Sequence, residues 1–174
     1  MNYLQIDNAS ISNGPGVRVV LWVSGCSVRC KGCQNPESWD YASGKVFDEA
    51  AKNKVLDALG KSYVRGITLS GGNPLEDCCL SDVLELIQTI RSTYKNKDIW
   101  LYTGWMLEDI MSKDEDITDR LRQRIICMCD VVVDGPYIEA QRDLTLPFCG
   151  STNQRLIDVK ETFKHGEIIQ YKIN

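Results

Sequence analysis

The chain has 174 residues, of which 43% are hydrophobic and 25% are charged, as is typical of one globular domain with its own core, so we expect a single domain over residues 1–174. The net charge of -4 comes from 20 basic and 24 acidic residues that are interspersed, which argues against nucleic acid or a membrane surface as a partner. Apolar runs are far shorter than the roughly 18 residues of a membrane helix, and no secretory signal is visible. We therefore expect a cytoplasmic protein, in which eight cysteines indicate metal or redox chemistry.

Predicted strands and helices alternate along the chain. The apolar, β-branched run Val17–Val23 predicts a central strand buried on both faces. Further strands are predicted at 66–70, 99–102, 131–133 and near 167–173, and helices at 47–59, 80–94 and 117–127. This alternation favours parallel βαβ units, and the chain is too short for an eightfold barrel of about 250 residues. We therefore expect an α/β fold, an open partial (β/α) barrel with a mainly parallel sheet.

Three cysteines lie in one compact loop directly after the first predicted strand, spaced as Cys26-x3-Cys30-x2-Cys33. Gly25 and Gly32 allow the backbone of this loop to wrap closely around a small group. Soft thiolates suit zinc or an iron-sulfur cluster, but structural zinc normally takes four ligands. A cubane held by three cysteines keeps one iron free for another ligand, so the spacing favours a 4Fe-4S cluster.

The alternative for this loop is a structural zinc site completed by a distant residue such as Cys149 or His165. In that case the chain would be a non-catalytic interaction module. Cys78, Cys79, Cys127 and Cys129 lie in or beside predicted helices and are interpreted as small buried hydrophobic residues rather than as a second cluster.

The CxxxCxxC signature after a first strand resembles that of the radical S-adenosylmethionine (SAM) superfamily. The resemblance implies that Cys26, Cys30 and Cys33 are catalytic and ligate a 4Fe-4S cluster, the open iron of which binds SAM. It also implies that an electron from the cluster cleaves SAM to a 5'-deoxyadenosyl radical, which removes a hydrogen atom from the target. The cofactor supplies the difficult chemistry and the protein positions it. The partial barrel would then be of the radical SAM type.

Flanking segments narrow the resemblance to glycyl-radical activating enzymes, and most closely to activators of the anaerobic (class III) ribonucleoside-triphosphate reductase. Residues 13–18 (NGPGVR) resemble the GPGxR stretch ahead of the cluster, and residues 33–39 (CQNPESW) resemble the segment after it. Residues 134–137 (DGPY) and 142–155 resemble the tail of the reductase activators in particular. Residues 14–16 are also interpretable as a tight turn that feeds the strand.

Residues 70–75 (SGGNPL) resemble the glycine-rich SAM motif, in which backbone carbonyls receive the SAM ammonium group. The resemblance assigns cofactor binding to this motif and to the segment around the last cysteine: Gly71, Gly72, Asn73 and Pro74, together with Gly32, Cys33 and Gln34. Two positions depart from the family pattern. Asn73 stands where an acidic residue is usual, and Gly32 stands where many members carry an aromatic residue.

The implied function is the generation of a glycyl radical on the anaerobic ribonucleoside-triphosphate reductase. The implied partners are that reductase and an electron donor such as flavodoxin. Arg142 and residues 153–155 would line the entrance for the reductase loop. The same core motifs also permit activation of another glycyl-radical enzyme, such as pyruvate formate-lyase. Asp134, which follows a predicted strand, is a further candidate catalytic residue, although Asp-Gly-Pro is also ordinary turn sequence.

Overall fold

In the computed structural model, which describes residues 1–173, a seven-stranded sheet has the order β3-β1-β2-β4-β5-β6-β7. The strands of this described part are β1 (Asn2–Ser10), β2 (Val17–Val23), β3 (Lys45–Val46), β4 (Val64–Gly71), β5 (Asp98–Tyr102), β6 (Val131–Asp134) and β7 (Arg155–Asp158). Its α-helices are α1 (Glu49–Leu59), α2 (Asp77–Thr93), α3 (Leu107–Ser112), α4 (Ile117–Cys127) and α5 (Val159–His165). None of these helices is both long and apolar enough to cross a bilayer.

The expectation of a partial (β/α) barrel with a mainly parallel sheet is wrong, because the sheet is mixed. Within residues 1–173, the pairs β2-β4, β4-β5 and β5-β6 are parallel, whereas β1-β2, β1-β3 and β6-β7 are antiparallel. A parallel pair needs a crossover of about a dozen residues or more, usually through a helix. Residues 11–16 are too few for a crossover between β1 and β2, and no α-helix lies between β6 and β7.

The central elements agree with the sequence predictions. The predicted strand Val17–Val23 and the predicted helix Ile117–Cys127 are observed with the same bounds. The Asp48 side chain accepts a hydrogen bond from the Ala51 amide at 2.9 Å and so acts as the N-cap of α1. The helix therefore begins at Glu49, two residues later than predicted.

The prediction of a strand near residues 167–173 is wrong. The last strand of the described chain is β7, and α5 follows it directly, with Asp158 as N-cap and Gly166 (φ 72°) ending the helix. Gln170 makes only an isolated bridge to Ile157. A glycine with left-handed backbone angles directly after a helix, such as Gly166, is a common helix terminator.

The two faces of the sheet differ. Val19, Leu21 and Val23 of β2 alternate towards the helices and lie in the main hydrophobic core. The opposite face carries Trp100, Val131 and Val133, a smaller cluster that is partly covered by Phe148 and Tyr171. Trp100 makes edge-to-face contacts with both aromatic rings, at centroid distances of 5.6 and 5.3 Å.

Candidate active site

The cysteine loop follows β2 at the carboxyl end of the parallel strands, where α/β sheets collect their ligand sites. Cys26, Cys30 and Cys33 are free thiols, and each is partly exposed. The Cys33 amide donates to the carbonyl of Cys30 at 3.1 Å, and Arg29 adopts a left-handed φ of 47°. The chain therefore turns tightly between the second and third cysteines.

The three thiols affect one another electrostatically. Burial raises the pKa of the Cys30 thiol, and the neighbouring Cys33 and Cys26 raise it further, against the lowering effect of a hydrogen bond from the Tyr137 backbone. Thiolates that lie this close repel each other until a cation binds them. Soft thiolate donors fit iron in an iron-sulfur cluster. Among residues 1–173, no three His, Cys, Asp or Glu side chains gather as a site for a single metal ion.

The glycine-rich turn packs directly on the start of the cysteine loop. The Gly72 amide donates to the carbonyl of Val23 at 2.8 Å, and the Asn73 amide donates to the carbonyl of Gly25 at 2.8 Å. A Cβ on Gly72 would clash with the carbonyl oxygen of Gly25. Gly71 has a φ of 96°, which strongly favours glycine. The structure thus brings the two segments together backbone to backbone.

Asn73 is 1% exposed, and its orientation is fixed. Its Oδ1 accepts hydrogen bonds from the Leu75 amide at 3.2 Å and from Thr103 Oγ1 at 3.1 Å. Because a backbone amide can only donate, the other end of the carboxamide must be Nδ2. Within residues 1–173, Nδ2 is buried without a hydrogen-bond partner. A buried orphan donor beside the cysteine loop fits a site that holds a polar ligand.

The other residues that the sequence resemblance assigns to SAM binding differ in solvent exposure. Pro74 is buried behind the turn, whereas Gly32 and Gln34 are exposed on the cysteine loop. Around Gly32 the free space is limited, because a Cβ there would lie 3.1 Å from Glu139 Cδ and 3.3 Å from Tyr137 Cε1. Tyr137 and Glu139 belong to the segment after β6, which therefore packs on the cysteine loop.

Asp134 is fully buried, and both of its carboxylate oxygens are engaged. The Leu107 amide donates to Oδ2 at 2.9 Å, and Arg155 Nε donates to Oδ1 at 3.0 Å. Arg155 also binds Glu108 through two hydrogen bonds of 2.8 and 2.6 Å. With these partners Asp134 ties β6 to β7 and α3 and acts as a positioning residue in this structure.

The residues expected at the entrance take different positions. Arg142 is exposed, whereas Asn153 Nδ2 donates to the carbonyl of Pro136 at 2.7 Å and Gln154 Nε2 donates to the carbonyl of Gly135 at 3.1 Å. The two amide side chains therefore hold the backbone that runs from β6 towards the cysteine loop.

The four cysteines that were expected to be buried divide evenly. Cys79 and Cys129 are buried, as predicted, whereas Cys78 and Cys127 are exposed. Burial raises the pKa of Cys79 and of Cys129 far above the usual range of a thiol. The buried pair therefore remains protonated, which is the behaviour of small hydrophobic residues.

Sequence reasoning did not identify Glu76 as part of this region. Its buried carboxylate accepts hydrogen bonds from the amide and hydroxyl of Ser27, at 2.8 and 2.7 Å, and from Tyr41 Oη at 2.9 Å. Ser27 directly follows Cys26, so Glu76 links the cysteine loop to the start of α2. Three residues from separate segments make this contact, and no local sequence pattern signals it.

Comparison with known proteins supports an iron-sulfur site in this chain. A family model described as a 4Fe-4S single cluster domain matches residues 12–157, which include the three loop cysteines and the glycine-rich turn. The chain thus falls in the class of proteins with a single 4Fe-4S cluster domain.

Curated relatives define the family more narrowly. Proteins named anaerobic ribonucleoside-triphosphate reductase-activating protein are 38% identical in Vibrio cholerae and 35% identical in Haemophilus influenzae, each over 88% of this chain and 96% of the relative. The protein of the same name from Enterobacteria phage T4 is 36% identical over 90% of this chain and 93% of its own length. The chain belongs to the family of anaerobic ribonucleoside-triphosphate reductase-activating proteins.

Proposed function

We propose that the chain activates an anaerobic ribonucleoside-triphosphate reductase by radical SAM chemistry. Cys26, Cys30 and Cys33 are the catalytic residues and the ligands of a 4Fe-4S cluster, and SAM binds between this loop and the glycine-rich turn. The observation that carries the proposal is the backbone pairing of Gly72 and Asn73 with Val23 and Gly25, which joins the two segments. When bound, the cluster and SAM supply the radical that removes a hydrogen atom from a glycine of the reductase.

The residues of the chain have separate tasks in this proposal. Three thiolates leave one iron of a cubane without a protein ligand, which is the open position that SAM requires. Residues 71–74 present backbone and the Asn73 carboxamide to SAM, and Gly32, Cys33 and Gln34 border the other side. The Tyr137 backbone lowers the pKa of the Cys30 thiol and so opposes the larger effect of burial, which raises it.

The proposed protein partners are inferred from the names of the relatives and from the solvent exposure of the three loop cysteines. The relatives are named for the anaerobic reductase that they activate, and the target glycine then lies in another polypeptide. The partial exposure of the three cysteines leaves one side of the site accessible to a loop of that partner. A small electron-transfer protein, such as a flavodoxin, supplies the electron. A reducing cytoplasm suits an accessible iron-sulfur cluster.

The proposal is tested by replacing one ligand, Cys30→Ala, and by comparing it with Cys127→Ala, which changes an exposed cysteine on α4. Each protein is reconstituted anaerobically, reduced with dithionite and measured by electron paramagnetic resonance with and without SAM. We expect wild-type protein and Cys127→Ala to give a reduced 4Fe-4S signal that changes on adding SAM. Cys30→Ala should lose that signal and at least 100-fold (about 2.7 kcal/mol) of SAM cleavage.

Two results would contradict the proposal. Unchanged SAM cleavage by Cys30→Ala would remove the cysteine loop from the chemistry. Zinc without iron or labile sulfide in the wild-type protein would favour the structural zinc module. Activation of the reductase is measured separately, as a glycyl radical signal after the two proteins are mixed with SAM and reductant, and pyruvate formate-lyase serves as the comparison partner.

A further inference from the structure

Glu76 occupies the N-cap of α2 without capping that helix. Its backbone is extended (φ -63°, ψ 147°), and the side chain makes no hydrogen bond to the first turn of the helix. N-cap side chains normally accept hydrogen bonds from that turn. The Glu76 carboxylate, 7% exposed, turns instead towards the cysteine loop. Its position therefore serves the loop rather than its own helix.

The Glu76 carboxylate accepts three hydrogen bonds from groups of the protein. Oε1 accepts from the Ser27 amide and hydroxyl, at 2.8 and 2.7 Å, and Oε2 accepts from Tyr41 Oη at 2.9 Å. All three partners are donors, so both oxygens of the carboxylate are occupied as acceptors. Within residues 1–173, no Lys or Arg forms a salt bridge with Glu76. The buried carboxylate is thus bound to Ser27, the residue that follows Cys26, and no basic side chain of the described residues pairs with it.

Tyr41 contacts both the Glu76 carboxylate and the start of the cysteine loop. Its ring covers the backbone of Gly25, where a Cβ would come within 2.5 Å of Tyr41 Cδ1. Partial burial of its hydroxyl, together with the hydrogen bond to Glu76, raises the pKa of Tyr41 to about 12. Tyr41 is therefore a neutral donor at physiological pH. It satisfies the carboxylate but leaves its charge in place.

We propose that Glu76 is a positioning residue for the cysteine loop and that its charge lowers the reduction potential of the cluster. This inference rests on the proposed function, since it takes Cys26, Cys30 and Cys33 as the ligands. Reduction adds one electron, supplied by an external donor, to a cluster that is already surrounded by thiolates. Net charge and hydrogen bonding near the sulfurs are known determinants of cluster potential. A fixed carboxylate beside Cys26 opposes the added electron and makes the reduced cluster a stronger reductant.

The test separates charge from shape with Glu76→Gln. Glutamine keeps an oxygen that accepts from Ser27, and its amide can donate to the oxygen of Tyr41, so the loop remains held. The matched control is Glu85→Gln, an exposed change on the same helix. Anaerobically reconstituted proteins are titrated potentiometrically, and the reduced cluster is followed by electron paramagnetic resonance.

We expect the midpoint potential to shift to more positive values in Glu76→Gln and to remain at the wild-type value in Glu85→Gln. Iron and sulfide content should stay at the wild-type level in both variants. Glu76→Ala, which removes the acceptor as well as the charge, should lose most of its cluster content. A Glu76→Gln potential equal to that of the wild type would overturn the inference, whereas SAM cleavage by the wild-type protein would still support the proposed function.

A second variant decides the matter if Glu76→Gln does not retain a cluster. Tyr41→Phe removes one donor to the carboxylate and keeps its charge, so the potential should shift in the opposite direction, to more negative values. An unchanged or more positive potential in Tyr41→Phe would then refute the electrostatic role. Wild-type protein that assembles no cluster at all would instead refute the proposed function on which the inference depends.

Discussion

Arg18 is a fully buried cation on the face of the sheet opposite to the helices. Its guanidinium donates to Thr68 Oγ1 and to the carbonyl of Ile67, each at 2.8 Å, and forms an ion pair with Asp98 at 2.6 Å. It also lies over the ring of Trp100, 5.2 Å from the centroid. Burial lowers the pKa of Arg18, and Asp98 counteracts this effect. The charge is thus well compensated and fixes β2 against β4 and β5.

We predict that Arg18→Met destabilises the protein by about 3–5 kcal/mol, because the Ile67 carbonyl loses its guanidinium donor and Asp98 keeps only the half-exposed Arg65 as a counter-ion. The control is Arg120→Met, since Arg120 and its partner Asp114 are both more than 60% exposed. Loss of an exposed pair should cost about 1 kcal/mol or less. Urea unfolding followed by circular dichroism measures both changes. Equal losses in the two variants would show that the buried cation is not a structural anchor.

Individual residues of the candidate site differ in how well the sequence predicts them. The cysteines and glycines have a fixed spacing and a distinctive local chemistry, so the sequence identifies them as candidates. Glu76 and Thr103 give no such signal, because they reach the site through contacts with residues 49 and 30 positions away. Asp134 illustrates the opposite problem: its position after a strand suggests catalysis, but Arg155 and the Leu107 amide engage both of its oxygens.

At the scale of secondary-structure elements, the junction of β6, β7 and α3 depends on one charged network. Arg155 on β7 joins the buried Asp134 of β6 to the partly exposed Glu108 of α3. Hydrogen bonds from Arg155 lower the pKa of Glu108, and the two carboxylates together raise the pKa of Arg155 above its usual value. The network therefore contributes to stability while Glu108 is ionised.

This network predicts a pH-dependent difference in stability. Because the pKa of Glu108 is lower in the folded state, its contribution is fully present above the ordinary value of 4.5 and is lost as the pH falls below that value. Glu108→Gln should therefore lower the melting temperature at pH 7, and the difference from the wild type should shrink below pH 4.5. The effect should correspond to about 1 kcal/mol or less, because Glu108 is half exposed.

The matched control for this measurement is Glu37→Gln, which changes an exposed glutamate outside the network. Thermal unfolding followed by circular dichroism between pH 2.5 and pH 7 should show a smaller pH-dependent difference for this variant than for Glu108→Gln. A Glu108→Gln difference that stays constant across the range would mean that ionisation of Glu108 does not stabilise the junction.

At the scale of the whole molecule, the sequence predicts the centre of the sheet better than its edges. β2, β4 and β5 are apolar runs separated by helical patterns, so their parallel arrangement is predictable. β1 is largely polar, and only Ile6 of its nine residues is buried, so periodicity does not reveal it. Its antiparallel pairing depends on the short turn to β2. The resemblance to a barrel family therefore led to the wrong architecture at both sides of the sheet.

The sheet order predicts how local stability varies across the molecule. Amides of β2, β4 and β5, which pair on both sides in the middle of the sheet, should exchange with deuterium most slowly. Residues 142–147, which are mostly exposed and lie in the segment between β6 and β7, should exchange fastest. Hydrogen-exchange mass spectrometry of the anaerobic protein measures both. Exchange of β4 as fast as that of residues 142–147 would contradict the observed strand order.

Gly25 is in contact with both Tyr41 and the Gly72 turn, and this packing has a consequence for assembly of the cluster. Hydrogen bonds of Gly72, Asn73 and Glu76 shape the entry to the cysteine loop. These bonds join protein groups to one another and involve no cysteine sulfur. We therefore expect this framework to fold without metal as its driving force, in contrast to small zinc domains. We expect protein that has lost its cluster to oxygen to remain folded and to accept a new cluster without a new round of protein synthesis.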